Sequence, residues 1–125
     1  MDFQELYEMA RQLRQPRQLS RSTEAGAVAA AILTDQGNVY RGVNIDSPCS
    51  MGFCAEHAAI AAMVTAGENR IVKMVAVAGD GKILPPCGRC REFICQIHDD
   101  NGSCEVLLDG GVVTTIDALL PARWN

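Results

Sequence analysis

Aromatic side chains are scarce in this sequence: one Trp, two Tyr and three Phe among 125 residues. Proteins that hold single-stranded nucleic acid stack its bases on aromatic rings above a basic groove. The basic groove is missing as well, because eleven Lys and Arg stand against fifteen Asp and Glu, a net charge of −4. Nucleic acid is therefore not an expected partner. No apolar run approaches the ~20 residues that span a bilayer, so no membrane partner is expected. The opening stretch MDFQELYEMARQLRQ has no apolar h-region, and the cytoplasm is the expected compartment. Repeats, low-complexity tracts and linkers are absent too, so residues 1–125 read as a single domain. With 48% apolar and 21% charged residues, the composition is that of a folded globular chain.

What the chain does have is cysteine, at positions 49, 54, 87, 90, 95 and 104. In a reducing compartment such thiols serve as metal ligands or catalytic groups more often than as disulfides. Hydrophobic periodicity places them on a fold. Phe3, Leu6, Ala10 and Leu13 form one stripe of an amphipathic helix over residues 2–14, stopped near Pro16. AVAAAIL (27–33) and VYRGVNI (39–45) read as a β-hairpin, and DSPCSMG (46–52) as a loop. CAEHAAIAAMVTAG (54–67) predicts a helix that is apolar on nearly every face, which calls for a neighbouring subunit as well as a sheet. IVKMVAVAG (71–79) reads as a strand buried on both faces, and CGRCREFICQIH (87–98) as a second helix. CEVLL (104–108) and GVVTT (111–115) are short strands, and IDALLP (116–121) is a short terminal helix. The expected architecture is α/β, a sandwich with helices on both faces of a mixed sheet.

Two short motifs carry chemistry: Cys54-Ala55-Glu56-His57 and Pro85-Pro86-Cys87-Gly88-Arg89-Cys90. Each lies at the start of a predicted helix, where backbone N–H groups and the helix dipole stabilise thiolates. Cys87 and Cys90, three apart, share one helical face. Three thiolates from two helix starts make a tetrahedral Zn²⁺ site with one position open, as a catalytic zinc requires. Glu56 stands in the first turn of a helix that otherwise avoids charge, where a carboxylate can take a proton from water and pass it on. Cys-Ala-Glu followed by Pro-Cys-x-x-Cys is the zinc deaminase pattern.

On these motifs the sequence resembles the cytidine deaminase family, including its small blasticidin-S deaminase members. The resemblance runs from the hairpin to the Leu119-Leu120-Pro121 tail. It implies a three-layer α/β/α sandwich on a five-stranded mixed sheet, and a homo-oligomer, with a tetramer favoured. It implies one Zn²⁺ per subunit on Cys54, Cys87 and Cys90, with Glu56 as proton shuttle. The partner it implies is a small-molecule nucleoside, cytidine, deoxycytidine or a close analogue, deaminated hydrolytically with loss of ammonia. Asn44 and Asp46, in Gly42-Val43-Asn44-Ile45-Asp46, match the segment that holds the ribose hydroxyls, with Asp where Glu is usual. Backbone groups near Ala55 and Cys87 would hold the base edge. His57 stands where Arg is common, and His57 and Arg89 are the candidates to offset the thiolate charge from outside the ligand set.

The chain departs from the family in two places. The stretch before the first long strand, SRSTEAGA (20–27), lacks the aromatic that packs on the pyrimidine, and the tail carries Trp124, a candidate ligand cover or packing aromatic. These departures keep a nucleoside-antibiotic deaminase of the blasticidin-S type as the alternative substrate class. Outside catalysis, the alternative is a structural zinc module whose fourth ligand is His57 or Cys49. Cys95 and Cys104 read as buried small hydrophobes.

Overall fold

A computed structural model describes every residue, Met1–Asn125. Helix α1 (Phe3–Leu13) starts where the Asp2 carboxylate accepts a 2.8 Å hydrogen bond from the Glu5 N–H. β1 (Arg17–Gln18), β2 (Glu24–Thr34) and β3 (Val39–Asp46) follow. Then come α2 (Ala55–Thr65), β4 (Ile71–Val77), β5 (Ile83–Leu84) and α3 (Gly88–Ile97). β6 (Glu105–Leu107), β7 (Val113–Thr115) and α4 (Ile116–Leu119) complete the chain.

The sheet has seven strands, a correction to the five expected. Five of them, ordered β3-β2-β4-β6-β7, form its body. The other two are two-residue pieces: β1 pairs with the first residues of β2, and β5 with the last residues of β4. Pieces this short carry no periodicity, so pattern reading misses them. The sheet is mixed, since β4 runs antiparallel to β2 and parallel to β6.

Burial on both faces follows from the period-two alternation of strand side chains. Ile32, Met74 and Val106 point to one layer, where they meet Ala59, Ile60 and Met63 of α2 and Ile94 of α3. Ala31, Leu33, Val75 and Val77 point to the other, where Leu6 and Ala10 of α1 cover them. Cys95 and Cys104 sit in the first layer as buried thiols, and burial pushes Cys104 up to about 12. The expected three-layer sandwich is present. Small residues let α2 lie close on β3: a Cβ on Gly42 would stand 2.5 Å from the Cβ of Ala58 and from the backbone nitrogen of Ala59.

Candidate active site

Helices α2 and α3 begin side by side at one end of the sandwich. Cys54 and Cys87 are their N-cap residues, both with extended backbone, and neither sulfur makes a full capping hydrogen bond to a helix N–H. The sulfurs face each other instead. Cys54 Sγ lies 3.4 Å from Cys87 Sγ, and Cys87 Sγ lies 3.5 Å from Cys90 Sγ. All three ligand atoms fall within 4.8 Å of one another. A disulfide needs about 2.05 Å, so these are free thiols. Tetrahedral sulfur ligands on zinc stand about 3.8 Å apart, from Zn–S bonds near 2.3 Å. The trio matches a soft divalent cation, and its burial leaves one side open: Cys90 is buried, Cys54 half-buried and Cys87 exposed.

Electrostatics at this end divide the sulfurs. Burial opposes the Cys87 thiolate, yet N–H groups of Cys90 and Arg89 and the neighbouring thiols hold its pKa below the ordinary value. Burial pushes Cys54 and Cys90 up, so these two ionise readily only when a cation is present. Glu56, 4% exposed, is buried beside them, and burial raises its carboxyl above the usual range. His57 Nδ1 is 3.3 Å from Cys90 Sγ, and its ring stacks on Phe93 at 4.6 Å between centroids. Burial, then the charge of Arg89, keep the imidazole pKa low. His57 thus meets a sulfur as a neutral ring, and Arg89 is the nearby full positive charge.

A cavity of about 420 Å³ opens from the sulfurs. Cys54, Ala55, Glu56, Cys87 and Arg89 line its deep end, and Asn44 and Asp46 its rim. Asn44 Oδ1 accepts the Val28 N–H at 2.8 Å, just where the β2–β3 register shifts between Ala25 and Ala29. Its amide N–H₂ makes no hydrogen bond within the chain. The 47–52 loop borders the same space through Ser47, Ser50 and Gly52. Its tip is strained, with Cys49 at φ 62° and Ser50 at φ 59°. Cys49 is exposed and is not part of the sulfur trio.

One lining residue escapes sequence reasoning. Phe53 borders the cavity, held by a backbone bridge to Ile45 that places it directly before Cys54. It is the aromatic ring in a lining whose β2 segment supplies only Val28. A lone Phe beside a ligand cysteine carries no pattern, which is why reading along the chain passes over it. Trp124, by contrast, does not line the cavity of its own chain. It is 83% exposed, and its N–H reaches the Glu92 carboxylate at 3.3 Å on α3. The tail continues along that helix, where Asn125 Nδ2 donates to the Cys95 carbonyl.

Comparison with known proteins agrees with this geometry. Residues 2–104 match the cytidine and deoxycytidylate deaminase zinc-binding region. A cytidine deaminase of Mycobacterium tuberculosis is 37% identical over 84 residues, covering 66% of this chain and 60% of that protein. A blasticidin-S deaminase of Bacillus cereus is 32% identical over 110 residues, covering 78% of this chain and 76% of that protein. The crystal structure of cytidine deaminase from Mycobacterium leprae superposes with a TM-score of 0.81 at 27% identity, covering 98% of this chain and 99% of the other.

Proposed function

Because this chain belongs to the cytidine and deoxycytidylate deaminase family, we propose that it hydrolyses the amino group from C4 of a cytosine nucleoside, leaving the uracil form and ammonia. One observation carries the reading: three thiols converge on a metal-sized gap at the floor of a nucleoside-sized cavity, with a buried carboxylate beside them. Cys54, Cys87 and Cys90 would hold zinc, which when bound acidifies a water for attack at C4.

Glu56 does the proton work. Its carboxylate takes one proton from the attacking water and delivers it to N3 of the ring, then takes the remaining proton from the new C4 hydroxyl and delivers it to the departing amine. Its burial removes competing solvent and keeps its proton affinity high enough for that exchange. The bond formed is C4–O, the bond broken is C4–N, and water is the only co-reactant. Arg89 offsets the thiolate charge, and His57 Nδ1, 3.3 Å from Cys90 Sγ, contributes as a neutral hydrogen-bonding ring. The backbone at Ala55 and Cys87 meets the base edge, and Phe53 offers it an apolar wall. Asn44 and Asp46 bind the sugar hydroxyls. Asn44 is well suited, because its carbonyl is already committed to Val28 and its N–H₂ is fixed in direction.

Trp124 does not line the cavity of its own chain, where its N–H meets Glu92, so a ligand cover from this residue would come from a second copy. A homo-oligomer, with a tetramer favoured, also suits α2, whose outward residues Ala61, Ala62 and Val64 are apolar. The test is a substrate panel of cytidine, deoxycytidine and blasticidin S on zinc-loaded protein, reading ammonia release and loss of the cytosine absorbance. Turnover of the antibiotic alone would favour the second reading, which the absent aromatic on β2 and the Bacillus cereus relative support. Zinc-loaded protein that releases ammonia from none of them would overturn the proposal.

A further inference from the structure

The residues directly before Cys54 and Cys87 are anchored by different means. Phe53, before Cys54, exchanges two backbone hydrogen bonds with Ile45, both at 3.0 Å. Pro86, before Cys87, has no N–H to give, and neither has Pro85. The turn into α3 can be tied down there only through its carbonyls. Pro86 is buried, and no backbone N–H reaches its oxygen. Its donor is Arg91, whose side chain folds back along α3 to place Nε 2.7 Å away. A buried carbonyl left without a donor is costly, so this bond matters to the turn.

The other arm of the same guanidinium is braced. Arg91 Nη1 donates to the Leu119 carbonyl at 2.9 Å, at the end of α4. A carbonyl in the last turn of a helix has no partner within that helix. α4 is itself fixed, with Ile116 fully buried and Leu119 and Leu120 packed on the core that α3 shares. Both acceptors are neutral. No carboxylate pairs with Arg91, since the ion pairs of the chain are Arg11–Glu8 and Arg123–Asp117. A planar fork making two charge-assisted bonds fixes direction as well as distance. What it fixes is the turn that presents Cys87, the exposed sulfur of the trio. The Arg91 backbone N–H also meets the Cys87 carbonyl at 3.0 Å, so the ligand residue is gripped on both sides of its Cα.

We propose that Arg91 is a positioning residue for the metal: braced on Leu119, it holds the Pro86 carbonyl and so sets the Cys87 sulfur where zinc needs it. Arg91 does not line the cavity, so it acts through Cys87 and not on the substrate. The inference rests on zinc at the three sulfurs, the premise of the deaminase reading, and on nothing about the nucleoside.

The test reads zinc affinity by chelator competition, and ligand geometry by the absorption bands of the cobalt(II)-loaded chain. Arg91→Met keeps the apolar stem and removes the fork. It should weaken zinc by about 10–100-fold and shift the cobalt bands. Arg91→Lys keeps the charge but cannot span both carbonyls, so its zinc affinity should fall between those of Arg91→Met and the native chain. It decides the matter if Arg91→Met does not fold. Glu92→Ala is the control, since it loosens the tail at Trp124 without touching Pro86. It should hold zinc as the native chain does. A merely structural arginine would lower the melting temperature and leave zinc affinity and cobalt bands alone. Native affinity or a native cobalt spectrum in the arginine variants would overturn the proposal, as would an equal loss in Glu92→Ala. Failure of the deaminase reading would show separately, as a zinc-loaded native chain that releases no ammonia from cytosine nucleosides.

Discussion

The two ends of the cavity are built by different means. At the deep end, two helices start against a buried sheet, and each placement is fixed several times over. Ala55 and Cys90 have no exposed surface, and Ala30 and Ala76 of the sheet pack on Ala55. At the rim, Asn44 and Asp46 lie at the end of β3, beside a register shift and a loop with two left-handed residues. The deep end is set by packing and the rim by hydrogen bonds and backbone strain. Rigid packing suits a group that must hold a metal and a proton without moving. A polar, exposed rim suits the part of a site that varies with the ligand.

Substitutions at the deep end should sharpen this contrast most. Glu56→Ala is expected to lower turnover by about 10²–10⁴-fold with zinc content and melting temperature retained, measured by ammonia release and metal analysis. Cys87→Ala attacks the same end through the metal. Zinc should be lost on dialysis and the melting temperature should fall, because part of the metal's binding energy is folding energy. Chelation of the native chain should reproduce that fall.

Rim substitutions should be milder and fall on binding. Asn44→Ala leaves the Val28 N–H without its acceptor and removes the proposed sugar contact, an expected cost of about 1–3 kcal/mol in kcat/KM or stability. Phe53→Ala should raise KM for cytidine by about tenfold with a smaller change in kcat, since it removes a wall and no reacting group.

The smallest effect lies outside both ends, at the buried Glu68. Tyr40 and Asn38 donate to its carboxylate, with Tyr40 Oη at 2.5 Å and Asn38 Nδ2 at 2.8 Å, and polar groups around it, Thr34 among them, hold its pKa below the usual carboxylate range. A lowered folded-state pKa contributes stability above the unfolded value, and that stability is lost as pH falls through the folded one. Glu68→Gln should therefore melt below the native chain at pH 7, with the gap closing as pH falls through and below the usual carboxylate range in thermal scans.

How much of this was legible along the chain follows the same division. The deep end could be read, because Cys54, Glu56, Cys87 and Cys90 sit at fixed spacings on helix starts, and helices preserve spacing in space. The five body strands and the α/β/α layering could also be read from apolar runs and their alternation. The rim could not. β1 and β5 are two residues long, and Phe53 enters the cavity through one backbone bridge to Ile45. The register shift between Ala25 and Ala29 beside Asn44 shows in no alternation of residues, and the place of Trp124 depends on hydrogen bonds to a helix distant in sequence. Contacts of this kind are made in three dimensions and leave no period behind.

The central claim is a zinc ion held by three sulfurs with its fourth position left to water. X-ray absorption at the zinc edge of the loaded chain tests it most directly. The expected spectrum has three sulfurs near about 2.3 Å and one lighter atom without imidazole scattering. Four sulfurs, or a bound imidazole from His57, would close the site and contradict the account.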